Sequence, residues 1–173
     1  MGVRHVDYAF TRVMTGIRRP RQTSFGSEFA GRVEDVGAAV TQFQVGDEVF
    51  GVKGGANAEY VAVRELGMIA PKPAGLTFEE ATAIPDGALL ALTCLQPGYP
   101  LRGKRVVVYG AAGAVGTAAV QIARMLGAEV SGTSSASKHD AIRELGVTHP
   151  IDYRTQDFEQ EVIRITDGEG IDV

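Results

Sequence analysis

The pattern of hydrophobic and polar residues differs between the first half and the second half of this chain. From Phe25 to Pro73, short apolar runs stand between glycines and prolines, and they predict strands over 28–36, 45–51 and 59–63. The segment 71–73 (PKP) is expected to lie outside the sheet, because proline cannot donate to a ladder. Short strands with glycine at the corners are typical of a small barrel or sandwich.

A predicted helical stretch separates the two halves of the chain. Thr77 is followed three residues later by Glu80, a spacing that predicts a capping box and a helix. A second helix is expected over 88–95, ended by Pro97 and Gly98. The domain junction is placed in this stretch, with a first domain over 1–80 and a second over 81–173.

The second half alternates strands and helices. Residues 106–109 (VVVY) form an apolar run that predicts a strand buried on both faces. A glycine-rich turn and a helix ended by Gly127 follow, then strands at 129–133 and 149–153, helices at 138–145 and 158–165, and the start of a fourth strand at 170–173. This β-α-β-α-β-α-β order predicts a parallel, doubly wound sheet of the Rossmann type.

Composition narrows the class of protein. The chain has 173 residues and a net charge of −4, so general nucleic-acid binding is not expected. The arginines at 4, 12, 18, 19 and 21 are interpreted as a solvated face rather than a basic patch. The single cysteine, Cys94, fits a reducing compartment. The longest apolar stretch, 88–95, is too short to cross a membrane, so we expect a soluble, cytoplasmic protein for which membrane contact is not favoured.

The glycine-rich turn is the main candidate binding site. Small residues allow a pyrophosphate to approach the backbone, and the next helix offers free N–H groups and a positive dipole end. The spelling departs from G-x-G-x-x-G, but Gly113 and Gly116 keep the second half of that fingerprint. A tight turn without a ligand is the alternative. The candidate cofactor-binding residues are Gly110, Ala111, Ala112, Gly113, Ala114, Val115 and Gly116.

The residues after the second strand of this unit favour NADPH over NADH. NAD-binding units carry an acid about 20 residues past the motif, where it binds the ribose 2′-OH. Here Thr133, Ser134 and Ser135 stand at that place, and no acid occurs before Asp140. Hydroxyls and the Lys138 amine suit a 2′-phosphate. The alternative is that Thr133 to Ser135 cap a helix, either instead of binding a 2′-phosphate or in addition to it.

Several motifs in order resemble the medium-chain dehydrogenase/reductase superfamily. They are EFAGRVEDVG, VGDEVFG, GGANAEYVAV and GAAGAVGTAAVQIARMLGAEV. The branch is similar to the zinc-independent quinone oxidoreductases (ζ-crystallin-like), and SASKHDAIRELGVTHPIDY resembles the vesicle amine transport protein group within it. The resemblance implies a partial GroES-like β domain and the first half of a Rossmann domain, truncated at both ends, from an enzyme that is a homodimer at full length.

The resemblance also implies roles for single residues. The turn 110–116 would hold the pyrophosphate, Ser134, Ser135 and Lys138 the 2′-phosphate, and Tyr153 would cover it. The loop 53–60 would lie near the nicotinamide. Zinc-dependent relatives have Gly-His-Glu where this chain has Ser27 in the middle position, and Arg4 matches a ligand cysteine, so no metal site is expected.

Without a zinc ion to stabilise an alkoxide, a conjugated acceptor is the expected substrate, either a quinone or an α,β-unsaturated carbonyl. No catalytic residue is assigned, although Tyr8 and Tyr60 are candidate proton donors. Two alternatives remain: an enoyl-thioester reductase, and a nucleotide-binding structural or membrane-associated adaptor with little catalysis. The fragment itself is expected to be inactive.

Overall fold

The structure, a computed structural model, describes residues 25–173. Two compact units follow each other along the chain, the first ending at Pro85 and the second running from Asp86 to Val173. The predictions for residues 1–24 lie outside the described residues: the arginine face and the roles considered for Arg4 and Tyr8.

The first unit contains a three-stranded antiparallel sheet. Its strands are β1 (Glu28–Arg32), β2 (Glu48–Val52) and β3 (Ile69–Pro71), in the spatial order β1-β2-β3. β1 ends at Arg32, before the end of the predicted 28–36. Beyond that residue the Val33 N–H still donates to the Asp47 carbonyl, and the Val33 carbonyl accepts from the Gly46 N–H, both at 2.8 Å.

Two strand predictions in this unit are wrong. Residues 59–63 form no strand, and neither ladder of the sheet includes them. Alternating side chains make a strand only where a neighbouring backbone completes the ladder, and none does so here among residues 25–173. Pro71, expected outside the sheet, is the last residue of β3 and faces Val49. Since β3 lies at the edge of the described sheet, the missing N–H of Pro71 is tolerated.

Helices α1 (Phe78–Thr82) and α2 (Pro85–Leu95) follow the sheet. The predicted capping box is confirmed: the Glu80 N–H donates to Thr77 Oγ1 at 3.1 Å, and the Thr77 N–H donates to Glu80 Oε2 at 2.9 Å. α2 begins at Pro85 rather than at Ala88, because a proline is well accommodated in the first turn of a helix. A 3₁₀ turn, Gln96–Gly98, ends this helical stretch.

The second unit is built around a parallel sheet of β4 (Arg105–Val108), β5 (Glu129–Ser134) and β6 (His149–Asp152), in the order β4-β5-β6. The connecting helices are α3 (Ala114–Met125), α4 (His139–Glu144) and α5 (Phe158–Ile165), with a 3₁₀ turn at Ala136–Lys138 before α4. The core includes Ala91, Leu95, Leu101, Val106, Val108, Ala119, Val120, Ala123, Val130, Ile142 and Val147.

The predicted fourth strand is present only as a short pairing. The Val107 N–H donates to the Val173 carbonyl at 2.9 Å, and the Asp172 and Val173 N–H groups both donate to the Arg105 carbonyl. The Lys104 carbonyl, one residue earlier, accepts from β5 instead. The backbone N–H and C=O groups of successive strand residues face the neighbouring strands on opposite sides. Val173 therefore lies on the side of β4 away from β5. The strand order therefore reverses at β4: β5 and β6 lie on one side of it and Val173 on the other, as in a Rossmann sheet.

Candidate cofactor site

The carboxyl end of β4 leads into the glycine turn. Val106 and Val108 are buried, but Tyr109 is 74% exposed and lies outside the strand, so the predicted apolar run is one residue too long. The Tyr109 ring meets the Phe158 ring edge-on, with centroids 5.9 Å apart. The turn thus begins at the carboxyl edge of the sheet, directly after β4, the strand at which the strand order reverses.

The turn needs glycine at two positions for different reasons. Gly110 has a φ of +78°, a conformation that side chains with a Cβ rarely adopt. At Gly116, a Cβ would stand 2.2 Å from the Gly110 carbonyl oxygen and 2.9 Å from the Ala111 Cα. The start of α3 therefore packs directly on the backbone of the turn, and any larger residue at Gly116 would push the two apart.

The N-terminus of α3 is free to receive an anion. Gly113 is the N-cap residue, and no side chain caps the helix. The N–H groups of Ala114, Val115 and Gly116 precede the first intrahelical bond, in which the Thr117 N–H donates to the Gly113 carbonyl. Gly113 and Ala114 are exposed. Free donors, a positive dipole end and small residues at the surface fit a pyrophosphate, and contact with a cofactor remains a prediction for 110–116.

Thr133 has a role that the sequence did not indicate. Its side chain is 1% exposed, and its Oγ1 accepts a hydrogen bond from the Gly110 N–H at 2.8 Å. Its carbonyl accepts from the Ala111 N–H at 2.9 Å. Thr133 therefore holds the glycine turn against β5, rather than facing a 2′-phosphate or capping a helix.

The serines and lysine after β5 lie at the same edge of the sheet. Ser134, predicted to follow the strand, is its last residue and is 4% exposed, with its Oγ donating to the Ser135 carbonyl at 3.1 Å. Ser135 is half-buried, and Lys138 is exposed. The helix-cap alternative holds in position only for Ser135, which is the N-cap residue of the 3₁₀ turn, while Lys138 is that of α4; no side chain caps either element.

Tyr153 follows β6 at the neighbouring position. Ser134 and Asp152 are paired residues in the parallel ladder of β5 and β6. Tyr153 is 50% exposed, and the Arg154 guanidinium lies 5.8 Å from the centre of its ring. The predicted 2′-phosphate residues Ser135, Lys138 and Tyr153 therefore follow two adjacent strand ends, and their contact with NADPH remains a prediction.

The loop after β2 folds back on the segment that begins the described chain. The Lys53 N–H donates to the Ser27 carbonyl and the Asn57 N–H to the Phe25 carbonyl, each at 2.7 Å. Tyr60, the candidate proton donor in this loop, is 71% exposed. The nearness of this loop to the nicotinamide is still a prediction.

The two histidines of the second unit differ. His149 lies near the surface, where its Nε2 is 3.3 Å from Glu129 Oε1. His139 is only partly exposed, and its Nε2 is buried without a hydrogen-bond partner. No cluster of three or more His, Cys, Asp or Glu side chains able to hold a metal occurs within 25–173.

Comparison with known proteins identifies both halves of the chain. Residues 1–92 match the alcohol dehydrogenase GroES-like domain family, and residues 114–173 match the zinc-binding dehydrogenase family. The chain is 38% identical over 178 residues to the phenolphthiocerol synthesis polyketide synthase type I Pks15/1 of Mycobacterium marinum (100% of this chain, 8% of the relative). It is 41% identical over 150 residues to the synaptic vesicle membrane protein VAT-1 homolog of Danio rerio (86% and 31%).

Solved structures share the fold. The CurK enoyl reductase has a TM-score of 0.82 at 37% identity, over 95% of this chain and 50% of that chain. The Escherichia coli quinone oxidoreductase complexed with NADPH has a TM-score of 0.69 at 28% identity (95% and 52%). The chain thus spans about half the length of these structures.

Within residues 25–173, no helix is both long enough and apolar enough to span a bilayer. The GroES-like half, the Rossmann-like parallel sheet and the glycine turn agree with the matched families. The chain belongs to the medium-chain dehydrogenase/reductase superfamily of oxidoreductases, as part of a longer member.

Proposed function

We propose that the full-length protein is an NADPH-dependent reductase of conjugated carbonyl compounds, either quinones or α,β-unsaturated carbonyls. The observation that carries this proposal is the glycine turn at the switch point of the sheet, where α3 presents uncapped N–H groups beside a turn built of small residues. When bound, the nicotinamide supplies a hydride to the acceptor. The NADPH complex of the structurally similar quinone oxidoreductase supports the choice of cofactor.

The residues of this chain act mainly by binding and orientation. The N–H groups at the start of α3 hold the pyrophosphate, and Thr133 keeps the turn in place by its bond to Gly110. Ser135, Lys138 and Tyr153 bind the 2′-phosphate end. A quinone or enone needs little else from the protein, because its conjugated system spreads the negative charge that arrives with the hydride. The proton then comes from solvent or from a tyrosine such as Tyr60.

Enoyl-thioester reduction is the second candidate. It is favoured by the similarity to the CurK enoyl reductase, at 37% identity, and to the polyketide synthase Pks15/1, at 38% identity. The identity to the Escherichia coli quinone oxidoreductase is 28%. The two candidates share the cofactor site and the hydride chemistry. They differ in whether the acceptor is a free small molecule or an acyl chain on a thioester.

Steady-state NADPH oxidation by the full-length protein tests the proposal. The acceptors are a benzoquinone, a simple enone, a crotonyl thioester and, as a control, a saturated ketone. Higher kcat/KM for the quinone or enone than for the thioester supports the first candidate, and the reverse order supports the second. Turnover of the saturated ketone alone contradicts both. NADPH binding without any turnover supports the adaptor alternative.

A further inference from the structure

Arg105, the first residue of β4, is bonded through its backbone to the segment 170–173. Its carbonyl accepts from the Asp172 N–H at 2.9 Å and from the Val173 N–H at 3.3 Å. Its N–H donates to Asp172 Oδ2 at 2.8 Å. A side-chain carboxylate thus takes the place that a backbone carbonyl has in a regular ladder, and the pair of Arg105 and Asp172 fixes the point at which the segment begins to run along β4.

The Arg105 side chain reaches back to the end of α5. Its guanidinium donates to the Thr166 carbonyl at 3.3 Å and to Glu169 Oε2 at 2.7 Å. Thr166 is the C-cap residue of α5, a place where the helix dipole favours a cation. The Gly170 N–H donates to Thr166 Oγ1 at 3.0 Å and closes the turn that follows the helix. One arginine therefore joins the end of α5, this turn and the segment 170–173 to β4.

The side chain of Val173 is closely fitted in this arrangement. The Val107 N–H donates to the Val173 carbonyl at 2.9 Å. A Cβ at Gly98 would stand 2.1 Å from Val173 Cγ2, so the valine packs directly against the backbone of the 3₁₀ turn after α2. Because side chains alternate along a strand, a slip of one residue would turn Val173 away from the core against which it packs. The bonds of Arg105 and the packing of Val173 therefore specify the same register.

This register bears on the candidate cofactor site, because β5 and the segment 170–173 lie on opposite sides of β4. Ligands of open α/β sheets bind in the crevice outside the carboxyl ends of the strands, where the strand order reverses. On the β5 side, the bond from the Gly110 N–H to Thr133 Oγ1 links the glycine turn to the strand. On the other side, the contacts of Arg105 fix the chain that leads toward the crevice.

We propose that Arg105 is a positioning residue for the cofactor: it sets the register of the segment 170–173 on β4 and so holds the second side of the crevice in shape. It stands at the amino end of β4, whereas the glycine turn follows the carboxyl end, so it acts without touching the cofactor. The ion pair to Glu169 alone would contribute little, because it is partly exposed. This inference rests on the proposed use of NADPH.

Amide hydrogen exchange and NADPH titration of the full-length protein test the proposal together. Arg105→Ala removes the guanidinium, and Arg105→Lys keeps a positive charge without its paired donors. Asp172→Ala removes the acceptor of the Arg105 N–H and leaves the arginine in place. Arg143→Ala is the matched control, because Arg143 is an arginine of the same unit that pairs with Asp140 of its own helix.

We expect the Val107 amide to exchange about tenfold faster or more in Arg105→Ala and Asp172→Ala, as the loss of a hydrogen bond to a charged group does. The Glu129 amide, which donates to the Lys104 carbonyl on the β5 side, should exchange as in wild type. The dissociation constant of NADPH should rise about threefold or more in both variants. Arg105→Lys should fall between Arg105→Ala and wild type, and Arg143→Ala should change neither quantity.

Unchanged exchange at Val107 in Arg105→Ala would overturn the proposal. Equal acceleration at Val107 and Glu129 would overturn it as well, since it would indicate a general loss of stability. Faster exchange at Val107 alone, with normal NADPH affinity, would refute the positioning role. A wild-type protein that binds no NADPH would instead contradict the proposed function, and the cofactor role of Arg105 with it, while the exchange rates would still show whether Arg105 holds the segment.

Discussion

The Gly110 N–H donates a hydrogen bond to Thr133 Oγ1 at 2.8 Å, and Thr133 is 1% exposed. This bond joins the first residue of the candidate pyrophosphate turn to the strand that leads to the candidate 2′-phosphate residues. The two parts of the site are therefore linked by a buried hydroxyl, in addition to the main-chain bond from the Ala111 N–H to the Thr133 carbonyl.

Replacing this hydroxyl by a methyl group should loosen the site. Thr133→Val has nearly the same shape but removes this part-buried hydrogen bond, which costs about 0.5–1.5 kcal/mol. We expect a lower free energy of unfolding in urea and weaker NADPH binding. Thr133→Ser is the control: it loses a buried methyl group but keeps the hydroxyl, so it should bind NADPH better than Thr133→Val. Equal binding by the two variants would contradict a role for the bond.

Alanine substitutions at two glycines of the turn should affect stability and cofactor binding to different extents. In Gly116→Ala the new Cβ would stand 2.2 Å from a backbone oxygen, so we expect a loss of about 1–3 kcal/mol in unfolding free energy. In Gly113→Ala the nearest atom is a backbone oxygen 3.3 Å away and φ is −89°, so the loss of unfolding free energy should be smaller than in Gly116→Ala. The methyl group would still obstruct a pyrophosphate. Thermal unfolding and NADPH titration of both variants test this, and normal NADPH affinity in Gly113→Ala would contradict the turn as the binding site.

Glu65 should make the first unit sensitive to acid. The backbone N–H groups of Gln42 and Thr41 donate to its carboxylate and hold its pKa below the ordinary value of 4.5. A carboxyl group with a lowered folded-state pKa stabilises the protein above its unfolded pKa, and this contribution is lost as the pH falls through the folded pKa. In Glu65→Gln, the stability deficit relative to wild type should therefore be larger at neutral pH than well below pH 4.5. Urea unfolding at both pH values checks it, and a deficit that does not depend on pH would count against it.

The capping box of α1 gives a stability prediction that is independent of the cofactor. Thr77→Ala removes the acceptor for the Glu80 N–H, and the loss of an N-cap costs about 0.5–2 kcal/mol. Thr77→Ser keeps the acceptor and should be close to wild type. The readout is the free energy of unfolding, and NADPH affinity should stay the same. An equally large loss in both variants would assign the effect to the threonine methyl group instead.

Local patterns predicted what depends on neighbours in sequence. The Thr77 capping box, the strands of the parallel sheet and the glycine turn each follow from a few adjacent residues, and the structure contains them. Segment 59–63 has a strand pattern but no strand, because a ladder needs a partner from elsewhere in the chain. Thr133 was misjudged for the same reason, since its bond to Gly110 spans 23 residues and no local pattern marks it.

Transfer of deuterium from NADPH to an acceptor tests the central claim most directly. The full-length protein would be given an enone with NADPH that carries deuterium at one of the two C4 positions, and the product would be analysed by mass spectrometry and NMR. We predict that one of the two labelled cofactors places a single deuterium on the β-carbon of the product, while the α-carbon takes its hydrogen from solvent. A β-carbon that takes its hydrogen only from solvent, or NADPH that binds without ever reducing a conjugated acceptor, would contradict the account.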